Sequence, residues 1–380
     1  MVFHSKLPQV GTSIFSVMSA LAKEHQAINL SQGFPDFDCD PTLLDLVNKY
    51  SSGGYHQYAP MPGAQALRET ISEILANCYA ANYHPETEIT VTAGATQGIF
   101  TAIAAFVRAG DEVILFEPNY DSYIPAIEVN GGVVKSIPLQ YPGFKINWDI
   151  VKQTINHKTR LIIINTPHNP SGTTLSKEDL LQLEQLVYGK NIIVVSDEVY
   201  EHMVFDAQPH QSVARFPNLA SQSIIVSSFG KTVHATGWKI GYVAAKQDIM
   251  NEFRKVHQFL VFSVNHALQM ALAEYLKTPS NYQHLHGFYQ SKRDYFRQLV
   301  TSSRFIIEPC QGTYFQLLNY KNITDEDDYE FAIRLTKEKQ LATIPLSVFY
   351  TQQTQQSLLR FCFAKKNETL EKAAEIICKI

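Results

Sequence analysis

Apolar residues recur along the chain in two patterns. Uninterrupted runs, Glu112-Val113-Ile114-Leu115-Phe116, Leu161-Ile162-Ile163-Ile164-Asn165, Ile192-Ile193-Val194-Val195 and Ser223-Ile224-Ile225-Val226, read as strands buried on both faces, the mark of a parallel sheet. Between them the spacing turns helical: residues 13–25 place Ile14, Val17, Met18 and Leu21 on one face, and helices are expected near 64–79 and from 97 onward. Such alternation predicts an α/β domain with ligands outside the carboxyl ends of the strands. From about Tyr282 the pattern changes to polar helices near 283–302 and 327–339 and short apolar segments at 305–315, 342–347 and 358–364. This predicts a smaller α+β domain at 282–380, joined by an amino-terminal arm at 1–40, with a large domain at 41–281 between them.

Polar residues stand where the apolar runs stop. Thr90-Val91-Thr92-Ala93-Gly94-Ala95-Thr96 reads as a strand, a glycine turn and a helix start, a place whose free N–H groups and positive dipole end suit an anion, with Ala95 and Thr96 as phosphate candidates. Asp197 ends a buried strand, where a carboxylate is costly unless it is paired. Lys231 lies on the loop leaving the run 223–226, among Ser228, Lys239, Gly230, Gly237 and Gly241. A lone lysine is ordinarily a solvated charge; two cations and hydroxyls with glycines permitting close backbone approach suit a phosphate and an amine able to attack a carbonyl. Gly230-Lys231-Thr232 does not end a P-loop, because the glycine that motif needs is Ile225.

Charge and cysteines narrow the partners. A formal net charge of -4 leaves no basic footprint for nucleic acid or an anionic membrane. The five cysteines are odd in number and never spaced as C-x-x-C, which fits thiols in a reducing cytosol. Met1-Val2-Phe3-His4-Ser5-Lys6 lacks the shape of an export signal, and the longest apolar stretch, 259–276, is broken by Ser263, Asn265, His266, Gln269 and Glu274. A cytoplasmic protein with no membrane partner is expected.

The run 227–242 resembles the cofactor-lysine segment of the fold-type I pyridoxal-phosphate aminotransferases, and the likeness extends in order from about Gln9 to the last helix. Carried over residue by residue, it implies that Lys231 holds pyridoxal 5'-phosphate covalently and moves the substrate's Cα proton. Asp197 keeps the pyridine nitrogen protonated, Tyr200 and Asn169 bond the phenolic oxygen, and Tyr120 stacks on the ring. Ser228 and Lys239 join Ala95 and Thr96 on the phosphate. Lys239 stands where many members have arginine, keeping the charge but losing the fork. Arg360, in Leu359-Arg360-Phe361-Cys362-Phe363-Ala364, clamps the α-carboxylate, the backbone at Gly33 meets it, and Phe15 and Phe34 line the side chain. Tyr58 would reach the phosphate of a neighbouring subunit, implying a homodimer with shared active sites.

The implied fold is a large domain with a mostly parallel seven-stranded sheet and a smaller α+β domain. The implied reaction moves an amino group from an L-amino acid to a 2-oxo acid by a ping-pong scheme. Gln32-Gly33-Phe34-Pro35-Asp36-Phe37 and Ile344-Pro345-Leu346-Ser347 look most like the family's methionine aminotransferase group, near the kynurenine and glutamine aminotransferases. An aromatic lining favours such side chains over aspartate, for which no second cation is found. Two alternatives share the fold: a carbon–sulfur β-lyase using the same lysine, aspartate and arginine, and a cofactor-bound regulator. The second would need a basic helix-turn-helix domain, and only about a dozen residues precede the first matching segment.

Overall fold

A computed structural model describes residues 4–352 and 356–380. Its thirteen strands in chain order are β1 (Ile28–Asn29), β2 (Ile89–Thr92), β3 (Glu112–Glu117), β4 (Val133–Pro138), β5 (Thr159–Asn165), β6 (Ile193–Asp197), β7 (Ser223–Ser228), β8 (Gly241–Ala245), β9 (Ile306–Ile307), β10 (Phe315–Asn319), β11 (Leu341–Ala342), β12 (Ile344–Pro345) and β13 (Leu358–Cys362). Seven of them form one sheet in the order β2-β8-β7-β6-β5-β3-β4, parallel except at β8, which runs against both neighbours. The four apolar runs fall on β3, β5, β6 and β7, with Ile192 just ahead of β6, and Leu161 to Ile164 are each 2% exposed or less. Full burial of each such side chain contributes roughly 1.5–3 kcal/mol, so the strand ends on which the polar groups stand are rigid.

That strand order brings the carboxyl ends of β2, β3, β5, β6 and β7 to one edge, together with the start of β8. The helix Gly94–Phe106 leaves β2 there and packs back across β6, β7 and β8. The second sheet is antiparallel, in the order β12-β13-β10-β9, and the helices Leu285–Val300, Asp328–Lys339 and Asn367–Ile377 belong to the same region. The amino-terminal segment docks here: β1 pairs in parallel with β11, and the helix Ile14–Glu24 packs on Asp328–Lys339. Among the described residues no helix is long and apolar enough to cross a membrane.

Two local readings change. Lys231 stands on a one-turn helix, Phe229–Thr232, and not on an open loop, because the chain must turn at once to return as β8. Gly230 and Gly241 do sit where a Cβ would collide with backbone, at 2.9 Å from Thr236 Cα for the first and against the Ser227 carbonyl oxygen for the second. Gly237 faces open space, so close approach does not explain it.

Candidate active site

A cavity opens at the shared strand edge, roofed by the amino-terminal segment and by β10 and β13. At about 220 Å³ it far exceeds the roughly 10–15 Å³ that one water needs, so it is ligand-sized and no packing defect. Each wall follows from the element behind it.

Asp197 closes β6 at 3% exposure. Its Oδ2 accepts from Tyr123 Oη at 2.6 Å and its Oδ1 from the Val199 N–H at 3.3 Å. Among the described residues it makes no ion pair, and burial pushes its carboxyl up to about 6 against the opposing effect of those bonds. One strand over, β5 ends at Asn165, whose Nδ2 donates to the Asp197 carbonyl at 2.9 Å and whose Oδ1 accepts from the Asn169 N–H at 2.8 Å. That pair of bonds fixes the turn carrying Asn169 into the cavity.

Lys231 points its Nζ across the cavity, donating to Tyr314 Oη at 2.6 Å and to the Gly33 carbonyl at 3.1 Å. Burial pulls its amine down to about 8; the neighbouring Cys362 acts the other way, and Arg360 and Lys239 add to the drop. The Tyr200 ring lies 5.6 Å from Nζ and packs edge-on against Tyr314 at 5.1 Å; burial raises its phenol well above the usual range.

The far end of the cavity is cationic. Lys239 takes a left-handed backbone, φ 53°, and its Nζ comes within 3.4 Å of where a Gly94 Cβ would be. A cation thus stands at the positive end of the helix Gly94–Phe106, beside the Ala95 and Thr96 backbone and Ser228. Two positive ends facing each other are unfavourable unless an anion lies between them.

Arg360, at the middle of β13, is 1% exposed. Its Cζ lies 3.9 Å from the Phe315 ring centroid and 5.3 Å from those of Phe15 and Phe349. Nη1 donates to Asn169 Oδ1 at 2.7 Å and Nη2 to the Ser31 carbonyl at 3.0 Å, while Nε has no partner among the described residues. Burial lowers its pKa to about 10, against the opposing charge of Asp121, so it stays charged at neutral pH although it makes no ion pair among the described residues.

The cavity therefore gathers Phe15, Gly33, Ala95, Thr96, Tyr120, Asn169, Asp197, Tyr200, Ser228, Lys231, Lys239 and Arg360. Two expected residues stand outside its lining. Tyr58 is 82% exposed with its ring edge-on to Phe262, and Phe34 is 45% exposed beside the Lys365 ammonium, 4.9 Å from its ring centroid. Tyr123, Tyr314, Phe315, Asn165, Gln32 and Thr236 complete the site without having been singled out from sequence. Tyr123 lies three residues after Tyr120 and Tyr314 falls in the short apolar segment 305–315, but only the fold reveals their hydroxyl partners.

A flat cationic heteroaromatic ring with a phosphate arm fits these donors. Asp197, buried and without an ion-pair partner among the described residues, is complemented by a positive N–H, the cation and helix end by an anion, and the lowered amine of Lys231 lies between them.

The whole-length likeness to known proteins points the same way. The family model "Aminotransferase class I and II" matches residues 25–377. The methionine aminotransferase of Escherichia coli K12 is 50% identical over 372 residues, covering 98% of this chain and 96% of that protein. A kynurenine–oxoglutarate transaminase of Dictyostelium discoideum is 33% identical, covering 97% and 94%. A crystal structure of the Escherichia coli protein YbdL, described with a methionine aminotransferase function, superposes with a TM-score of 0.98 at 49% identity over all of both chains. Fold, cavity chemistry and full-length similarity agree that this chain belongs to the class I and II aminotransferases and is a pyridoxal-phosphate-dependent transaminase.

Proposed function

We propose that the chain transfers the amino group of methionine and of aromatic or kynurenine-like L-amino acids to a 2-oxo acid. One observation carries the substrate class: the cavity lining holds three cations, Lys231, Lys239 and Arg360, and each has a task before any side-chain carboxylate arrives. What remains around the clamp is aromatic, Phe15, Phe315 and Phe349, so an apolar or thioether side chain is favoured over a charged one. The names of the methionine and kynurenine relatives support the same class.

When bound, pyridoxal phosphate supplies an electron sink for the charge left when the substrate Cα–H bond breaks. Asp197 holds a proton on the ring nitrogen by opposite charge, with Tyr123 and Val199 fixing its orientation. Tyr200 and Asn169 donate hydrogen bonds at the ring's phenolic edge, Tyr120 covers its face, and Ala95, Thr96, Ser228 and Lys239 hold the phosphate. Arg360 meets the α-carboxylate with its guanidinium, whose angle Asn169 sets. Lys231 Nζ takes the proton from the substrate Cα and would deliver it to the cofactor's C4′, acting first as base and then as acid. Its pKa near 8 leaves enough free amine at neutral to mildly alkaline pH for it to accept a proton.

The chain divides into residues 41–281 and a smaller domain of 1–40 with 282–380, a division supported by the docking of β1 on β11. The exposed apolar patch of Tyr58, Phe259, Leu260 and Phe262 is the face for a second copy, placing Tyr58 against the partner's phosphate end. A fully active monomer in sedimentation would contradict this. Five unpaired thiols favour a reducing, cytoplasmic setting.

The test is a panel of single amino acids with one 2-oxo acid acceptor. Methionine and phenylalanine are expected to exceed aspartate by about 100-fold or more in kcat/KM, about the discrimination given by an unpaired buried charge. A strong preference for aspartate would overturn the substrate reading.

A further inference from the structure

Tyr314 is the closest partner of the reactive amine, and nothing in the roles above uses it. Its phenol is fully buried and its ring is held on three sides, edge-on to Tyr200 at 5.1 Å and Phe315 at 4.9 Å and tilted against Tyr289 at 5.7 Å. Tyr314 Oη donates to the Gly33 carbonyl in a short bond, which leaves the phenol oxygen's lone pairs for the amine. Lys231 Nζ then donates one N–H to Tyr314 Oη at 2.6 Å and a second to the Gly33 carbonyl at 3.1 Å.

The Gly33 carbonyl is itself fixed. A Cβ on Gly33 would lie 2.8 Å from the Phe315 ring, so the segment lies flat against that ring. Its neighbours' carbonyls are tied to cations, Ser31 to Arg360 Nη2 at 3.0 Å and Phe34 to Lys365 Nζ at 2.9 Å.

We propose that Tyr314, with the Gly33 carbonyl, is a positioning residue that receives the Lys231 amine whenever it is free and fixes the direction of its lone pair. The inference rests on the transaminase reading of Lys231. A neutral amine has two N–H bonds and one lone pair. With both N–H bonds committed to acceptors on the Tyr314 and Gly33 side, the lone pair is left with the remaining tetrahedral direction, away from them. In the protonated amine the third N–H takes that direction, so Nζ gives up the proton along the same direction in which it accepted it. Burial raises the phenol's pKa well above the usual range, so Tyr314 keeps its proton and its bond to Gly33 across the working pH range.

The test compares Tyr314→Phe, which keeps the packed ring and removes only the oxygen, with Tyr289→Phe. The Tyr289 hydroxyl lies in the same aromatic stack, is buried, and has no partner among the described residues. In the cofactor-free full-length protein, Lys231 is titrated by competitive acetylation with trace acetic anhydride and peptide mass spectrometry. An oxygen acceptor stabilises the ammonium more than the amine, so Tyr314→Phe should lower the Lys231 pKa by about one unit and Tyr289→Phe should leave it unchanged. In the loaded enzyme, Tyr314→Phe should lower kcat by roughly 10- to 100-fold with KM for the amino acid within about twofold, and raise the Cα-deuterium isotope effect, because the base has lost its orientation. A purely structural tyrosine would lower the melting temperature and move neither the titration nor the isotope effect. An unshifted Lys231 titration in Tyr314→Phe, or an equal shift in Tyr289→Phe, would overturn the proposal. Because that titration needs no turnover, a wild-type protein that transaminated nothing would count against the functional reading alone.

Discussion

Lys231→Ala should lower kcat by about 10⁴-fold or more, since one amine supplies both the covalent attachment and the proton transfer, and the proton transfer alone is worth about 10²–10⁴. KM for the amino acid should change little, because Arg360 and Asn169, which hold the carboxylate end, stay bonded to each other at 2.7 Å. The variant should still take up pyridoxal phosphate through the helix end, Lys239 and Asp197, but lose it on gel filtration, where the wild type keeps it. Steady-state rates and the absorbance of the eluted protein check both halves. A variant with more than a tenth of wild-type kcat would show that the base lies elsewhere.

Asp197→Asn should separate stability from activity, in opposite directions. Burial places the carboxyl near 6 instead of its ordinary 3.8, so the cofactor-free fold binds that proton more tightly than the unfolded chain does. Its stabilising effect is therefore complete below about pH 4 and lost as pH rises through about 6, a difference of roughly 3 kcal/mol. The amide keeps the shape and an acceptor for Tyr123 but loses the one for the Val199 N–H, so the cofactor-free variant should be more stable than wild type at pH 8 by up to about 3 kcal/mol less the roughly 1 kcal/mol of that bond, with a flatter dependence between pH 4 and 6. Activity should fall about 10²–10³-fold, as when one preorganised electrostatic partner of the developing charge is lost. Adding pyridoxal phosphate should raise the melting temperature of the wild type more than that of the variant. Were the variant less stable than wild type at pH 8 without cofactor, the carboxylate would already have a positive partner.

Much of this was legible in the chain for a physical reason. A parallel sheet buried on both faces forces its polar residues to the strand ends, so the apolar runs before Asp197 and Lys231 marked the edge on which the site is built. Arg360 was legible as a clamp only through its motif; its flanking apolar residues say that β13 is buried, not that the arginine lines a cavity. Hydroxyl partners were invisible. Tyr123 and Tyr314 are two of 19 tyrosines, and their roles come from pairs 74 and 83 residues apart in sequence that only the packed sheets bring together. Gly237 shows the converse, a glycine within the motif whose Cβ would meet nothing. Tyr58 and Phe34 stand on outward surfaces, where a single chain's pattern carries no information about what covers them.

Borohydride reduction after incubation with pyridoxal phosphate, followed by peptide mapping, tests the central claim most directly. The account predicts one pyridoxyl group per chain, on the peptide containing Lys231, and none in Lys231→Ala. A protein that stays colourless and unlabelled, or a label on any other lysine, would contradict it.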